Sequence, residues 1–334
     1  MKTSQRISYY DFLKGLAIMG VVAIHTMIFK VEPHSISGVS LALFRNILGF
    51  CVPFFVTISG YFLYSKEVNT KYTYKKFITN RLKVVYIPML IWALPWFGLA
   101  LLNTHSFLKI GYITLMYLLG GMSVLYFITL ILELYMLLPK IQNIGKKGVI
   151  ILSIISIAFT FFWSLVNYAT DIRPPLILYC SFPTYIGFFA LGCYLGRKKI
   201  SPSIRLAILT IVIGLILSTL ESFFWLDYNP NNNWLGLKSS VHILSFGIIL
   251  LLLSKKLSIN YTSNKLKSLI EWFGRQSMPI YTSHMIIMFL SARLGFSPNN
   301  WAENWIVIFI LDIIVIYIIS KVMPKKILPY LGIR

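Results

Sequence analysis

Tyr9-Tyr10-Asp11-Phe12-Leu13-Lys14-Gly15-Leu16-Ala17-Ile18-Met19-Gly20-Val21-Val22-Ala23-Ile24-His25 is the stretch on which the rest of the sequence turns. Read as a helix at about 100° per residue, it brings Lys14 and His25 onto one stripe roughly three turns apart, with Asp11, Gly15, Ile18 and Val22 near it. An apolar helix that gathers an acid, a base and an imidazole on one face has put its costly groups together. In a membrane such groups face protein or a water-filled cavity. The remainder of the chain is expected to build what surrounds that face.

Composition supports a membrane setting. Of the 334 residues 57% are hydrophobic and 12% charged, which excludes an ordinary soluble domain and a disordered chain. A net charge of +21 would suggest nucleic acid, but the Lys and Arg residues stand in short runs between apolar blocks rather than on a soluble surface. No nucleic-acid partner is therefore expected, and membrane lipid is. Cys51, Cys180 and Cys193 are unclustered, so neither a disulfide framework nor a metal site is expected. Lys2 and Arg6 precede the first apolar run as in a signal peptide, but the run contains Lys14 and lacks a small-x-small cleavage site, so it is expected to stay attached.

About ten apolar blocks approach the length of roughly 20 residues that a helix needs to cross a bilayer. They are Phe12 to Val31, Val39 to Tyr64, Val84 to Asn103, Ser123 to Pro139, Val149 to Ala169, Leu176 to Leu195, Ser203 to Phe224, Ser240 to Leu253, Ser277 to Leu290 and Asn304 to Met323. Ile110 to Leu119 is too short to span and reads as interfacial. Placing the N-terminus inside leaves only Lys30, Arg45, Lys109, Arg173, Lys238 and Arg293 of the 31 basic residues on the outer side, which fixes the expected orientation as N-in and C-in. Asp227 to Trp234 reads as the longest outer loop. The expected fold is all-α: one polytopic transmembrane bundle, a single integral membrane domain over residues 1–334.

His25 lies past the expected midplane, where an imidazole suits a general base on an acceptor hydroxyl or, equally, a core histidine bonded to a carbonyl. Lys14 is either an interfacial lysine whose amine reaches the headgroups or a cation for the phosphates or thioester of a donor. Asp11 pairs naturally with Lys14 at i, i+3. Glu133 lies mid-block, where a carboxylate is expected to be paired or protonated; it is a candidate to orient His25 or to balance Lys14 or Arg45. Asp312 poses the same question, with a bond between helices preferred. Pro53 and Ser59-Gly60 suit a kinked, cavity-lining helix or close helix packing. The bases from Lys71 to Lys83 attract anionic headgroups or gather an anionic nucleotide, and Arg81 is the preferred phosphate contact. Tyr281 and His284 share one side of a helix at i, i+3. His34, His105 and His242 read as solvated boundary histidines.

These pieces together resemble the acyltransferase-3 group of integral membrane acyltransferases, which includes bacterial O-acetyltransferases of surface polysaccharides. Lys14 and His25 after Asp11 resemble its first-helix signature of a basic residue, ten intervening residues and a histidine. Val52 to Leu63 is similar to its aromatic-rich second helix ending in Ser-Gly, and Arg81, with Lys83 beside it, to its basic motif before the third helix. Tyr126 to Pro139, Ile186 to Arg197 and Ile280 to His284 resemble weaker landmarks. The resemblance implies an acyl-CoA donor, most often acetyl-CoA, on the cytoplasmic side and no metal. It also implies an envelope glycan or lipid-linked sugar as acceptor from the outer side. His25 and Glu133 would then be catalytic, Lys14, Arg81 and Lys83 would hold the donor, and Asp11, Ser59, Tyr281 and His284 would line the substrate cavity. Such a protein acts alone in the bacterial inner membrane or with a separate extracytoplasmic partner. From the residues alone, an exporter of polysaccharide or lipid-linked intermediates is the alternative.

Overall fold

The computed structural model describes residues 8–27, 35–66, 68, 70–171, 175–228, 237–254, 256–257, 261–296 and 300–333. Lys2, Arg6, Lys30, His34, Arg173 and residues 229–234 of the expected outer loop lie outside them. Asp227 and Tyr228, taken above as the start of that loop, instead end a helix.

All regular structure among the described residues is helical. The helices are α1 (Ser8–Thr26), α2 (Ile36–Leu48), α3 (Cys51–Leu63), α4 (Lys71–Arg81), α5 (Ile87–Leu102), α6 (Phe107–Leu118), α7 (Tyr126–Met136), α8 (Leu138–Ile141) and α9 (Lys146–Thr170). They continue as α10 (Leu176–Tyr179), α11 (Phe182–Lys198), α12 (Ile204–Tyr228), α13 (Ser239–Leu252), α14 (Lys265–Arg275), α15 (Ser277–Arg293) and α16 (Trp301–Val322). Among the described residues each apolar block is helical over most of its length, because backbone in hydrocarbon must satisfy its own hydrogen bonds. Six stretches are long and apolar enough to cross a membrane: Ile36–Leu63, Lys71–Leu102, Lys146–Thr170, Leu176–Lys198, Ile204–Tyr228 and Trp301–Val322. The protein is a multi-pass membrane protein built as a helix bundle.

Prolines decide where the helices break. Pro53 cannot bond the Gly49 carbonyl four residues back, and the chain turns at Gly49 and Phe50 between α2 and α3. Pro183 does the same to Tyr179, which instead accepts the Thr184 hydroxyl at 2.7 Å, and α10 parts from α11 at Cys180 and Ser181. Pro279 separates α14 from α15 at Gln276, and Pro88 follows a π-helical turn, Leu82–Tyr86, that joins α4 to α5. The basic run from Lys71 is thus not a loop. It is helical from its Thr70 cap, where Thr70 and Thr73 exchange side-chain and backbone bonds at 3.2 Å, and runs into the span itself. Broken backbone at membrane depth is tolerated where it lines a cavity, and each of these breaks does so below.

α1 is the hub, packed against α2, α3, α14, α15 and α16. Gly274 lets α14 ride on the α1 backbone, since a methyl there would collide with the Asp11 carbonyl. Gly60 plays the same part between α3 and α11, where a methyl would strike the Phe189 carbonyl. The Trp305 indole N–H ties α16 to the Met19 carbonyl at 3.1 Å, and the Tyr9 hydroxyl ties α13 to α1 through the Leu252 carbonyl at 2.7 Å. α6 has no buried residue and leaves Phe107 87% exposed. His242 is not the solvated histidine the sequence suggested. It is fully buried, with Nε2 3.0 Å from the Thr184 carbonyl and its ring beside Tyr185 and Phe188.

Candidate functional site

α1 carries its polar residues at two levels. Near its start Lys14 and Asp11 form an ion pair of 2.5 Å, the lysine side chain 17% exposed and the carboxylate buried. Near its end His25 lines a cavity of about 250 Å³. Arg45 of α2, Trp163 and Asn167 of α9, Tyr179 and Cys180 at the break before α11, Tyr126 and Tyr185 also face this cavity. Gly49, the other proline-made break, completes the wall. Arg45 donates to the Ile24 carbonyl, one of the last carbonyls of α1 that the helix itself leaves unpaired. The cation thereby fixes the turn that holds His25. The Trp163 Nε1–H is buried and bonded to no described residue.

A second cavity of about 220 Å³ lies at the next level along α1. Ile18 of α1, Phe55 and Ser59 of α3, Val85 of the π-helical turn, Phe127 and Tyr135 of α7, and Ser277 and Tyr281 at the α14–α15 break contribute to its lining. Ile18 is one turn beyond Lys14 on the same face. At the Tyr135 edge stands Arg81, its guanidinium 5.6 Å from the Tyr135 ring and 5.3 Å from the Phe77 ring. The Arg81 Nε–H is buried and bonded to no described residue, which leaves a cationic donor in place for an anionic group.

One layer of side chains parts the two cavities. Tyr126 lines the first and Phe127 the second. Tyr281 lines the second while its hydroxyl bonds the carbonyl of Val124, a residue of the first. The Phe127 and Tyr281 rings lie 5.4 Å apart, Tyr281 and His284 6.0 Å, and His284 and His25 5.3 Å, a row of rings running from one cavity toward the other.

The residues singled out from sequence separate accordingly. His25 stands in the first cavity. Ser59 and Tyr281 meet in the second, with Arg81 at its edge and Lys14 a turn below. His284 is buried behind His25 rather than on a cavity wall. Lys83 is exposed. Glu133 accepts the Phe182 backbone N–H at 2.9 Å and so caps α11. Asp312 accepts the Ser283 hydroxyl, a bond between α16 and α15. Sequence reasoning counted Arg45 only as an outer-side charge that Glu133 could balance, and did not name it, Trp163, Asn167, Tyr126 or Tyr185 as site residues. A signal was there to find: Ser156, Thr160, Ser164 and Asn167 recur every three or four residues in an apolar helix, and all four are buried on one side of α9.

Such an arrangement suits transfer of a group between two bound molecules: one cavity presents an imidazole among hydrogen-bonding and aromatic side chains, the other a slim apolar space with a cation at its edge. A family model described as an acyltransferase domain matches residues 7–321, and so takes in every helix that lines either cavity. The chain belongs to this acyltransferase family. No curated protein and no solved structure matches it. Membership makes the protein a group-transfer enzyme. Among the described residues of the acyltransferase no His, Cys, Asp and Glu side chains are grouped to hold a metal ion.

Proposed function

We propose that the acyltransferase takes an acyl group, acetyl in the first instance, from acyl-CoA and passes it to a hydroxyl of an envelope glycan or lipid-linked sugar. The observation that carries this reading is the pair of cavities stacked along α1, one beside Lys14 and Arg81 and the other beside His25. The charge distribution supports an orientation with the N- and C-termini inside, which turns the Lys14 end toward cytoplasmic donor. The orphan Arg81 Nε–H suits a CoA phosphate, Lys83 adds an exposed charge nearby, and the apolar second cavity suits the thioester arm. The first cavity offers Trp163, Tyr179, Asn167 and Arg45 to a ring rich in hydroxyls. Glu133 acts here as a positioning residue: it holds the start of α11, and with it the Cys180 and Tyr185 wall.

In direct transfer His25 removes the proton from the acceptor hydroxyl, the oxygen attacks the thioester carbonyl, the carbon–sulfur bond breaks, and the CoA thiolate leaves with the proton that His25 held. In a relay, His25 is acylated first and the acceptor oxygen then displaces it. Either route lets the acyl group cross while the charged nucleotide stays where it is. The test is transfer of labelled acetyl from acetyl-CoA into envelope glycan by membranes holding wild type or His25→Ala at equal protein levels. A loss of about 100-fold or more is expected for removal of a general base. Transfer that survives in His25→Ala overturns the role of His25, and a wild type that labels no glycan fraction overturns the proposed reaction.

A further inference from the structure

His284 is fully buried on α15, and its Nδ1 lies 2.8 Å from the Tyr281 carbonyl and 3.1 Å from the Ile280 carbonyl. Carbonyl oxygens only accept, so Nδ1 carries the proton and Nε2 holds a lone pair. That Nε2 is buried and bonded to no described residue. A polar atom so placed costs free energy unless a partner meets it, and the neighbouring ring is that of His25, 5.3 Å between centroids at an interplanar angle of 36°. The backbone of α15 thus fixes which nitrogen of His284 can accept, and a small turn of either ring brings an N–H of His25 to it.

We infer that His284 is the proton-accepting partner of His25, a positioning residue that holds the proton on the His25 nitrogen facing it and so leaves the other nitrogen bare toward the first cavity. The inference rests on the proposed role of His25 and deepens it. In direct transfer the His25 imidazolium formed by deprotonating the hydroxyl donates its second N–H to His284 until the thiolate takes the transferred proton back. In the relay a carbon–nitrogen bond forms as the carbon–sulfur bond breaks, and the remaining N–H of the acylated ring donates to the same lone pair. The pair is neutral–neutral before reaction. The charged and titratable groups around it are Arg45 from α2, Tyr126 from α7, Tyr281 on α15 itself, and Asp312 from α16, whose carboxylate is engaged by Ser283. Arg45 only donates, the Tyr281 hydroxyl is given to the Val124 carbonyl, and Asp312 has one oxygen engaged by Ser283 and one that meets no described residue, so the His284 Nε2 is the acceptor whose ring packs against that of His25.

Three substitutions and two readouts test the pair. His284→Asn keeps an amide N–H for the Ile280 and Tyr281 carbonyls and removes the acceptor at Nε2. His284→Gln carries an amide oxygen out to that position. His284→Met fills the space with no comparable acceptor, and serves where the Asn variant does not accumulate. In the acetyl-transfer assay kcat of the Asn variant is expected to fall about 10- to 100-fold, the range for losing a partner that fixes a working imidazole, with KM for acetyl-CoA unchanged and with partial recovery in His284→Gln. The second readout needs no turnover: carbethoxylation of His25 by diethyl pyrocarbonate, followed by mass spectrometry on the purified full chain. It is expected to slow several-fold in Asn and Met variants and to recover in Gln. Equal losses in Asn and Gln, or His25 reactivity that ignores residue 284, overturn the inference. If the wild type transfers no acetyl group, the proposed function fails and the carbethoxylation result alone decides the histidine pair.

Discussion

The two cavities differ more in chemistry than in size. The one beside His25 brings together an imidazole, a guanidinium, an amide, an indole N–H and three tyrosines. The one beside Ser59 takes its polar groups only from Ser59, Ser277, Tyr135 and Tyr281, and keeps its cation, Arg81, at the edge. A membrane protein tolerates polar side chains inside where they have work or partners, and the contrast supports the proposed division of labour, in which the first cavity would hold an acceptor that itself makes many hydrogen bonds and the second an apolar arm whose charge stays at the mouth.

That contrast is broken or sharpened by separating the kinetic constants of the two substrates. Arg81→Ala removes a cationic donor from the second cavity alone. A charge-assisted hydrogen bond is worth about 1.5–3 kcal/mol, so KM for acyl-CoA is expected to rise on the order of 10- to 100-fold while KM for the acceptor stays put. Arg81→Lys should recover only part of the loss, because an ammonium lacks the planar fork of the guanidinium. A change in acceptor KM of the same size would mean that the two spaces are one site.

Trp163→Phe makes the reciprocal cut in the first cavity. It keeps the aromatic face and deletes the N–H that meets no described partner. One neutral hydrogen bond to the acceptor is worth about 1 kcal/mol, which predicts a rise of roughly fivefold in acceptor KM and none in KM for acyl-CoA, read by initial rates with each substrate varied in turn. A silent Trp163→Phe would leave the aromatic wall as packing.

How much of this was legible beforehand follows from how local each signal is. The α1 stripe was legible because Lys14, Ile18 and His25 lie on one helix, where the 3.6-residue period alone sorts faces, and the apolar blocks were legible because hydrocarbon demands long apolar helices. The breaks were half legible. Pro53 was read as opening its helix, but the turn falls three to four residues earlier, at Gly49 and Phe50, because a proline disturbs the carbonyl of the preceding turn rather than its own position. The wall of the first cavity was hardest to see. Its residues come from α1, α2, α3, α7, α9, α10, α11, α13 and the turns between, and no spacing in the sequence says that Arg45 will reach the Ile24 carbonyl or that His284 will stand behind His25. Glu133 shows the opposite case. Its oddity mid-block was plain, but its hydrogen-bond partner is a backbone N–H of another helix, Phe182, which carries no residue-type signature at all.

The smallest expected effect concerns Lys83, which sequence reasoning grouped with Arg81. The two are separated by a single residue, Leu82, yet the π-helical turn that begins there rotates the chain, and Lys83 is exposed while Arg81 is packed over Phe77 and Tyr135. An exposed lysine near a membrane acts through long-range attraction, worth about 1 kcal/mol per charge at a headgroup surface and screened by salt. Lys83→Ala is therefore expected to change KM for acyl-CoA by no more than about fivefold at low ionic strength, and to converge on wild type as salt is raised past physiological levels. Arg81→Ala should keep most of its deficit under the same salt, because a desolvated contact is screened far less. Parallel salt titrations of the two variants thus separate a charge that only gathers the donor from one that holds it; a Lys83 deficit that persists in salt would place that lysine at the second cavity beside Arg81.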